Sequence, residues 1–219
     1  AFSEEERAHI RACLAAGKLD ARAEDLLAED PVDPYNILAI TFTNKAAREM
    51  RERIEALVGD RAGKLWVSTF HAACCRILRR EIDRLDGYTG RFTIYDSSDS
   101  ERVMKDILKD FDLDEKALPP RLALSLISKA KDKRQNPEAF GRSADKSGDF
   151  RMERIAQVYA EYEKRLHEAN ALDFDDIILK TVELLEAYED VRTYYQKKFH
   201  YVMIDEYQDT NQLQYRLTA

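Results

Sequence analysis

The chain contains the stretch Tyr201-Val202-Met203-Ile204-Asp205-Glu206-Tyr207-Gln208-Asp209-Thr210-Asn211, in which a short apolar run ends in two carboxylates. Such a run is typical of a buried strand, and the ligand crevices of parallel sheets lie beyond the carboxyl ends of their strands. At that position Asp205 can coordinate Mg²⁺, because hard cations prefer oxygen ligands. Glu206 beside it can orient or deprotonate an attacking water molecule. Asp-Glu also follows ordinary strands, so the dipeptide alone does not identify a catalytic site.

Two further segments have the pattern of a strand followed by a helix. Ile37-Leu38-Ala39-Ile40-Thr41-Phe42 is a second apolar run, and Thr43 or Asn44 can cap the helix that the spacing of the next apolar residues predicts. Leu65-Trp66-Val67-Ser68-Thr69 is a third such run, followed by a predicted helix over 72–84. Strands that alternate with helices in this way predict a parallel α/β sheet.

The rest of the chain has helical character. Glycine and proline are scarce, with 7 and 5 in 219 residues, which predicts a predominantly helical protein. Helical spacing continues through 81–168, except over 136–149, where a proline and two glycines indicate an exposed loop. We therefore expect an α/β domain made of residues 1–80 and 169–219, interrupted by an all-helical insertion over 81–168.

Composition limits the class of protein. Charged residues make up 35% of the chain, and no apolar run approaches the length that spans a membrane. The net charge of −7 argues against bulk coating of nucleic acid but is compatible with a local basic track. Cys13, Cys74 and Cys75 form no metal-ligand spacing and the four histidines cluster with none of them, which predicts reduced, buried thiols. The N-terminal residues do not resemble a signal peptide, so we expect a cytoplasmic protein with no membrane partner.

Four ordered motifs resemble one family. Asp205-Glu206-Tyr207-Gln208-Asp209-Thr210-Asn211 is similar to the Walker B motif, motif II, of the UvrD/PcrA/Rep group of superfamily-1 DNA helicases. Residues 37–50 resemble their motif Ia, Val67-Ser68-Thr69-Phe70-His71 resembles motif Ib, and 170–176 resembles the segment before motif II. The resemblance implies a partial RecA-like P-loop NTPase sheet, with the helical insertion corresponding to the subdomain called 1B.

The resemblance also implies roles for matching residues. Asp205 and Glu206 would serve Mg²⁺ and water activation, and Gln208 would sense the γ-phosphate. Single-stranded DNA would contact the residues of motifs Ia and Ib, which are Phe42, Thr43, Asn44, Thr69, Phe70 and His71. Hydroxyls and helix N-termini bind phosphates, and aromatic faces stack bases without sequence preference. For Phe42 and Phe70 the alternative is a core aromatic side chain, and for His71 it is a cap of the following helix.

A run of cations lies in the predicted insertion. Lys129, Lys131, Lys133 and Arg134 surround a single Asp132, and four cations in six residues can neutralise several phosphates. The alternative is a solvated helix end where the helix dipole favours cations.

The family pattern lacks one part in this sequence. The P-loop G-x-x-x-x-G-K-[ST] cradles nucleotide phosphates, but Gly17-Lys18 and Gly63-Lys64 have Ala12 and Val58 in place of the first glycine, and leucine follows both lysines. The motifs that follow motif II in the family, III to VI, are absent as well. We interpret the sequence as part of an ATP-dependent 3′–5′ helicase that acts on single-stranded DNA and junctions of single-stranded with duplex DNA, in repair or replication.

Cofactors and partners follow from that interpretation. We expect ATP and Mg²⁺ to serve the parent protein, no tight cofactor binding by this segment, and the remaining helicase domains as partners. The alternative is a degenerate, non-catalytic module that binds DNA or docks on a protein.

Overall fold

The computed structural model describes residues 2–28, 32–147 and 150–218. The chain forms two compact units, Ala1–Pro34 and Tyr35–Ala219. In the smaller unit, helix α1 (Glu4–Ala15) begins at a capping box between Ser3 and Glu6, and Asp20 caps helix α2 (Ala21–Leu27). His9 Nε2 of α1 lies 3.8 Å from Cys13 Sγ, so the prediction that no histidine approaches a cysteine is wrong.

The larger unit contains the following elements among the described residues. The strands are β1 (Ile37–Thr41), β2 (Trp66–Thr69), β3 (Thr93–Ile94), β4 (Ala171–Leu172) and β5 (Tyr201–Ile204). The α-helices are α3 (Asn44–Val58), α4 (Phe70–Glu81), α5 (Ser97–Asp110), α6 (Pro120–Asp132), α7 (Pro137–Ser147), α8 (Phe150–Glu168), α9 (Phe174–Ala187), α10 (Glu189–Lys198) and α11 (Gln212–Thr218). No described helix is both long and apolar enough to cross a membrane.

The main sheet is parallel and has the strand order β2-β1-β5. Thr41 pairs with Thr69 and Ile40 with Ile204, so the three strands end at nearly the same level. This confirms the predicted parallel α/β sheet in a predominantly helical chain. Strands β3 and β4 form a second, two-stranded parallel sheet.

The prediction that β5 is buried is wrong. Tyr201 and Met203 are 53% and 58% exposed, and Val202 is exposed as well. In the described part of the chain β5 pairs with β1 along one side and forms an edge of the sheet. Apolar composition predicts a strand, but burial also depends on what packs against it.

Two hydrophobic cores lie in the larger unit. The first joins the main sheet to α4, α9 and α10, and it includes Ile82 and Phe92. The second is built mainly from α5, α6 and α8, and Ala171 packs in it. The all-helical second core lies largely within the predicted insertion, whose boundaries at 81 and 168 stay a prediction.

The predicted exposed loop over 136–149 is a helix in most of its length, because α7 spans Pro137–Ser147. Residues 148 and 149 lie outside the described residues. Asn136 Oδ1 accepts a hydrogen bond from the Ala139 amide at 2.8 Å, and Pro137 occupies the first helical position, where a missing N–H costs nothing. A Cβ at Gly141 would lie 3.5 Å from the Ala156 side chain, so this glycine faces α8 closely. Proline and glycine serve this helix instead of interrupting it.

Candidate functional site

Three loops meet at one edge of the main sheet, because the carboxyl ends of parallel strands lie together. Strand β1 leads into Phe42 and Thr43, β2 leads into α4, and β5 leads into Asp205 and Glu206. The Asp205 amide continues the pairing by donating to the Ile40 carbonyl at 2.9 Å. The sheet thus brings the three sequence motifs to a common edge.

The acidic pair is exposed at this edge. Thr41 Oγ1 donates to Asp205 Oδ2 at 3.5 Å, and the Gln208 amide donates to the Glu206 carboxylate. Neither carboxylate forms an ion pair with a cation among residues 2–28, 32–147 and 150–218. Glu206 has a φ of 52°, a left-handed conformation that costs a non-glycine residue about 1–2 kcal/mol. Gln208 therefore supports a carboxylate on a strained turn.

The acidic pair fits Mg²⁺, which proteins usually hold through one or two carboxylates together with waters and substrate phosphates. The described residues do not fit ATP in the same way. Gly17 lies in the turn after α1, and Gly63-Lys64 lies in the 3₁₀ helix Gly59–Lys64 before β2. Neither pair joins the carboxyl end of a strand to a helix N-terminus, which is the geometry that cradles phosphates.

A cavity of about 310 Å³ collects side chains from motifs Ia and Ib. Its walls include the predicted DNA contacts Phe42, Asn44, Thr69 and His71, together with Phe174 at the start of α9. These residues come from separate parts of the sequence, and the fold brings them together.

The two threonines of these motifs act as helix caps. Thr43 Oγ1 accepts from the Ala46 amide at 3.1 Å and begins α3, and Thr69 Oγ1 accepts from the Ala72 amide at 3.2 Å and begins α4. Their hydroxyls are engaged, but the caps direct the N-termini of two long helices toward the common edge. Thr43 and Asn44 are exposed, whereas Thr69 is buried.

The prediction that Phe70 contacts DNA is wrong, because its side chain is 1% exposed and lies in the first hydrophobic core. The alternative of a core aromatic holds for this residue. Phe42 is partly buried, and its ring centroid lies 5.4 Å from that of Phe70. Phe42 therefore retains an accessible part next to the cavity.

His71 lies in the first turn of α4 and does not cap it, since Thr69 does. Its ring meets Phe174 edge to face at 5.6 Å. Burial lowers the pKa of His71, although the Asp175 carboxylate and the Phe174 backbone oppose this effect. The imidazole is therefore neutral at pH 7 and offers a ring face or a neutral hydrogen-bonding nitrogen in place of a charge.

Phe174 is an aromatic residue of the cavity that sequence reasoning missed. Its side chain is 52% exposed, which is unusual for a phenylalanine. One signal was available: Phe174 directly follows the cap Asp173, one turn before the apolar face of α9 begins at Ile177. A phenylalanine in the first turn of a helix, before the apolar face begins, is not directed into the hydrophobic core.

The predicted basic track is partly wrong. Lys131 is completely buried, and its Nζ lies 2.7–2.8 Å from carboxylate oxygens of Asp173, Asp176 and Glu163. The reason is helical phase: Lys131 lies four residues after Ile127, on the inner face of α6. It is not available to a phosphate.

The other members of the run differ among themselves. Arg134 pairs with Glu186 through two hydrogen bonds, whereas Lys129 and Lys133 are exposed. Only these two lysines of the predicted track present solvated ammonium groups without an ion pair in the part of the chain that the structure describes.

The buried cluster around Lys131 shifts several pKa values. Burial raises the pKa of Asp176 to about 8, with Lys131 opposing. Burial also raises the pKa of Asp173. The Lys131 ammonium and the hydrogen bonds that the Asp173 carboxylate accepts oppose burial, and they hold the pKa of Asp173 below its ordinary value. Burial would lower the pKa of Lys131, yet the three carboxylates raise it well above normal. The cluster is a charged anchor between α6, α8 and α9.

A parallel sheet with an acidic pair and two capped loops at one edge, joined to a helical core, defines an NTPase-like α/β class. The sequence profile of the UvrD/REP helicase N-terminal domain matches residues 17–219, and the chain belongs to this family. It is 47% identical over 211 residues to the ATP-dependent DNA helicase PcrA of Staphylococcus aureus, covering 95% of this chain and 28% of that protein. It is 48% identical over 199 residues to the PcrA helicase of Bacillus subtilis, covering 91% and 26%.

The resemblance inferred from the motifs is thereby confirmed. The chain spans about a quarter of the length of these curated relatives, 28% and 26% respectively.

Proposed function

We propose that the chain is part of an ATP-dependent DNA helicase that moves 3′ to 5′ on single-stranded DNA, in repair or replication, in the cytoplasm. The observation that carries the proposal is the shared sheet edge, where the acidic pair of β5 and the cavity of motifs Ia and Ib follow adjacent strands. Because these strands are rigid and end at the same edge, a movement of the loop that follows β5 can be transmitted to the loops that follow β1 and β2. The relatives of Staphylococcus aureus and Bacillus subtilis are ATP-dependent DNA helicases, which supports the same activity.

In this proposal Asp205 and Glu206 hold Mg²⁺, which supplies positive charge where phosphate oxygens develop negative charge. Glu206 also takes a proton from, or orients, a water molecule beside the ion. Gln208, which donates to the Glu206 carboxylate, positions that side chain and senses the γ-phosphate of the nucleotide.

Single-stranded DNA is proposed to cross the cavity edge. Phe42, His71 and Phe174 offer ring faces for bases, and the N-termini of α3 and α4 with Asn44 offer donors for phosphates. Lys129 and Lys133 provide exposed positive charge on a chain whose net charge is −7. Junctions with duplex DNA would engage the helical insertion.

The remaining helicase domains are the proposed partners, and the exposed edge of β5 is the proposed place for further sheet. We propose that the chain by itself neither binds ATP tightly nor hydrolyses it, because the described residues offer no phosphate cradle. The same observation favours a second candidate, a non-catalytic module that only binds DNA or docks on a protein. Magnesium-dependent ATP binding by this chain would count against that second candidate.

The test of the proposed DNA path is the affinity of the chain for a fluorescently labelled single-stranded oligonucleotide at low salt. We expect Phe174→Ala to weaken binding by the loss of about 1–3 kcal/mol of stacking. Tyr215→Ala is the matched control, since Tyr215 and Phe174 are both 52% exposed and each lies on a helix of the larger unit. Equal affinities for the two variants would contradict the proposed path.

A further inference from the structure

Three side chains of different chemistry meet in the smaller unit, far in sequence from the acidic pair. His9 and Cys13 are four residues apart on α1, which places them on one face of the helix. Asp20, the cap of α2, lies opposite them: its Oδ1 is 2.9 Å from His9 Nε2, which in turn is 3.8 Å from Cys13 Sγ. All three donor atoms lie within 4.8 Å of one another.

These distances are close to those of a tetrahedral metal site. Zn–S of about 2.3 Å and Zn–N of about 2.0 Å at the tetrahedral angle place the two donors about 3.5 Å apart. The observed separation of His9 Nε2 and Cys13 Sγ is therefore within a few tenths of an ångström of that geometry. Asp20 and His9 need to separate by a similar amount, and both side chains are partly exposed.

The donor set also selects the kind of metal. A thiolate with an imidazole and a carboxylate suits Zn²⁺ and similar transition metals, whereas Mg²⁺ and Ca²⁺ prefer oxygen donors alone. The set differs in this respect from Asp205 and Glu206. A zinc-type ion held by these three side chains would therefore not compete with Mg²⁺ at Asp205 and Glu206.

We propose that His9 Nε2, Cys13 Sγ and the Asp20 carboxylate bind one Zn²⁺ ion, with water in the fourth position. Binding replaces the hydrogen bond between His9 and Asp20 by one bond from each residue to the metal. The proton leaves His9 Nε2, so that the neutral ring carries its hydrogen on Nδ1, and the Cys13 thiol releases its proton to solvent. Asp20 Oδ1 also accepts from the Ala23 amide at 2.9 Å, so the residue that would bind the metal is the residue that caps α2. The ion then links α1 to α2, which are separated by five residues in the chain and whose buried side chains are Ile10 and Ala23.

The experiment is a titration of the complete, chelator-treated chain with Co²⁺, which occupies zinc sites and reports its ligands by absorption. We expect one equivalent to bind with a thiolate-to-cobalt charge-transfer band, and Zn²⁺ to remove that band by displacement. Cys13→Ser should abolish the band. His9→Gln and Asp20→Asn should each weaken binding by at least about tenfold.

The controls separate this site from others in the chain. Cys75→Ser changes a half-buried thiol on α4 and should leave the band intact. Asp20→Asn keeps a good helix cap, so its effect reports the ligand and not the loss of α2. Failure of the wild-type chain to bind cobalt, cobalt binding without the charge-transfer band, or a band that survives Cys13→Ser would each overturn the proposal.

Discussion

Lys131 Nζ lies 2.8 Å from Oδ2 of Asp173, and this ion pair joins α6 to the cap of α9. Asp132, the next residue, accepts a hydrogen bond from Asn211 Nδ2 at 3.3 Å, in the turn that follows the acidic pair. Two adjacent residues of α6 therefore contact both the start of α9, where Phe174 enters the cavity, and the turn after Asp205 and Glu206. The end of α6 connects the helical core to both halves of the candidate site.

Lys131→Ala should destabilise the fold by about 3–5 kcal/mol, because it leaves buried carboxylates without their cation. The measurement is the free energy of unfolding in urea at pH 7. Lys129→Ala, two residues away and exposed, should change it by less than about 0.5 kcal/mol. A Lys131→Ala chain of wild-type stability would show that the carboxylates are neutral or hydrated.

Asp173→Asn and Asp176→Asn should differ in cost although both carboxylates contact Lys131. Asp173, whose pKa is lowered, is ionised in the folded chain and pairs with Lys131, so its neutralisation should be the more destabilising at pH 7. Asp176, whose pKa is raised to about 8, is more easily neutral, so Asp176→Asn should cost less.

The pH dependence tests the same cluster. The pKa of Asp176 is raised from the ordinary 3.8 to about 8 in the folded chain, so the folded state binds this proton more tightly than the unfolded state. The resulting stabilisation is fully present below pH 3.8 and is lost as the pH rises toward about 8. The stability of the wild-type chain relative to Asp176→Asn should therefore fall across that interval, with Lys131, Asp173 and Glu163 charged nearby. A constant difference between the two chains would contradict a raised pKa for Asp176.

Salt dependence separates charge from stacking in DNA binding. Each phosphate neutralised contributes a slope of about −0.7 to log K against log salt for single strands. Replacing Lys129 and Lys133 together by alanine should therefore make the slope shallower by up to about 1.4, whereas Phe42→Ala should lower affinity at every salt concentration and leave the slope unchanged.

The matched control for this pair is Lys105→Ala with Lys109→Ala, two exposed lysines one turn apart on α5. Its slope should equal that of the wild-type chain. If both double variants flatten the slope equally, the attraction comes from total charge and no local track exists.

Local patterns were sufficient to predict much of this structure. The strands β1, β2 and β5 were recognisable as apolar runs, and the Thr43 cap was recognisable as a hydroxyl residue before a helical stripe. The failures concern partners that are distant in sequence. Lys131 appeared to belong to an exposed basic run, since its partner Asp173 is 42 residues away.

The candidate site shows the same division. The acidic pair and the two loop motifs could be identified from consecutive residues, whereas the cavity depends on Phe174, which only the packing of α9 beside α4 brings to His71. Likewise His9 and Cys13 are visible as a helical pair in the sequence, but the position of Asp20 opposite them depends on the turn between α1 and α2.

Hydrolysis of ATP tests how much of the catalytic apparatus this chain carries. We expect the wild-type chain to hydrolyse ATP no faster than a Glu206→Gln variant, with or without single-stranded DNA. The physical reason is that a phosphate cradle and an arginine near the transferred phosphoryl group are large electrostatic contributions to phosphoryl transfer, and the described residues place neither beside Asp205 and Glu206. The measurement is the rate of phosphate release at saturating Mg²⁺. The Gln208→Ala variant should release phosphate no faster than the Glu206→Gln variant. DNA-stimulated turnover that Glu206→Gln abolishes would contradict this prediction and would mean that the chain binds the nucleotide through groups other than a P-loop.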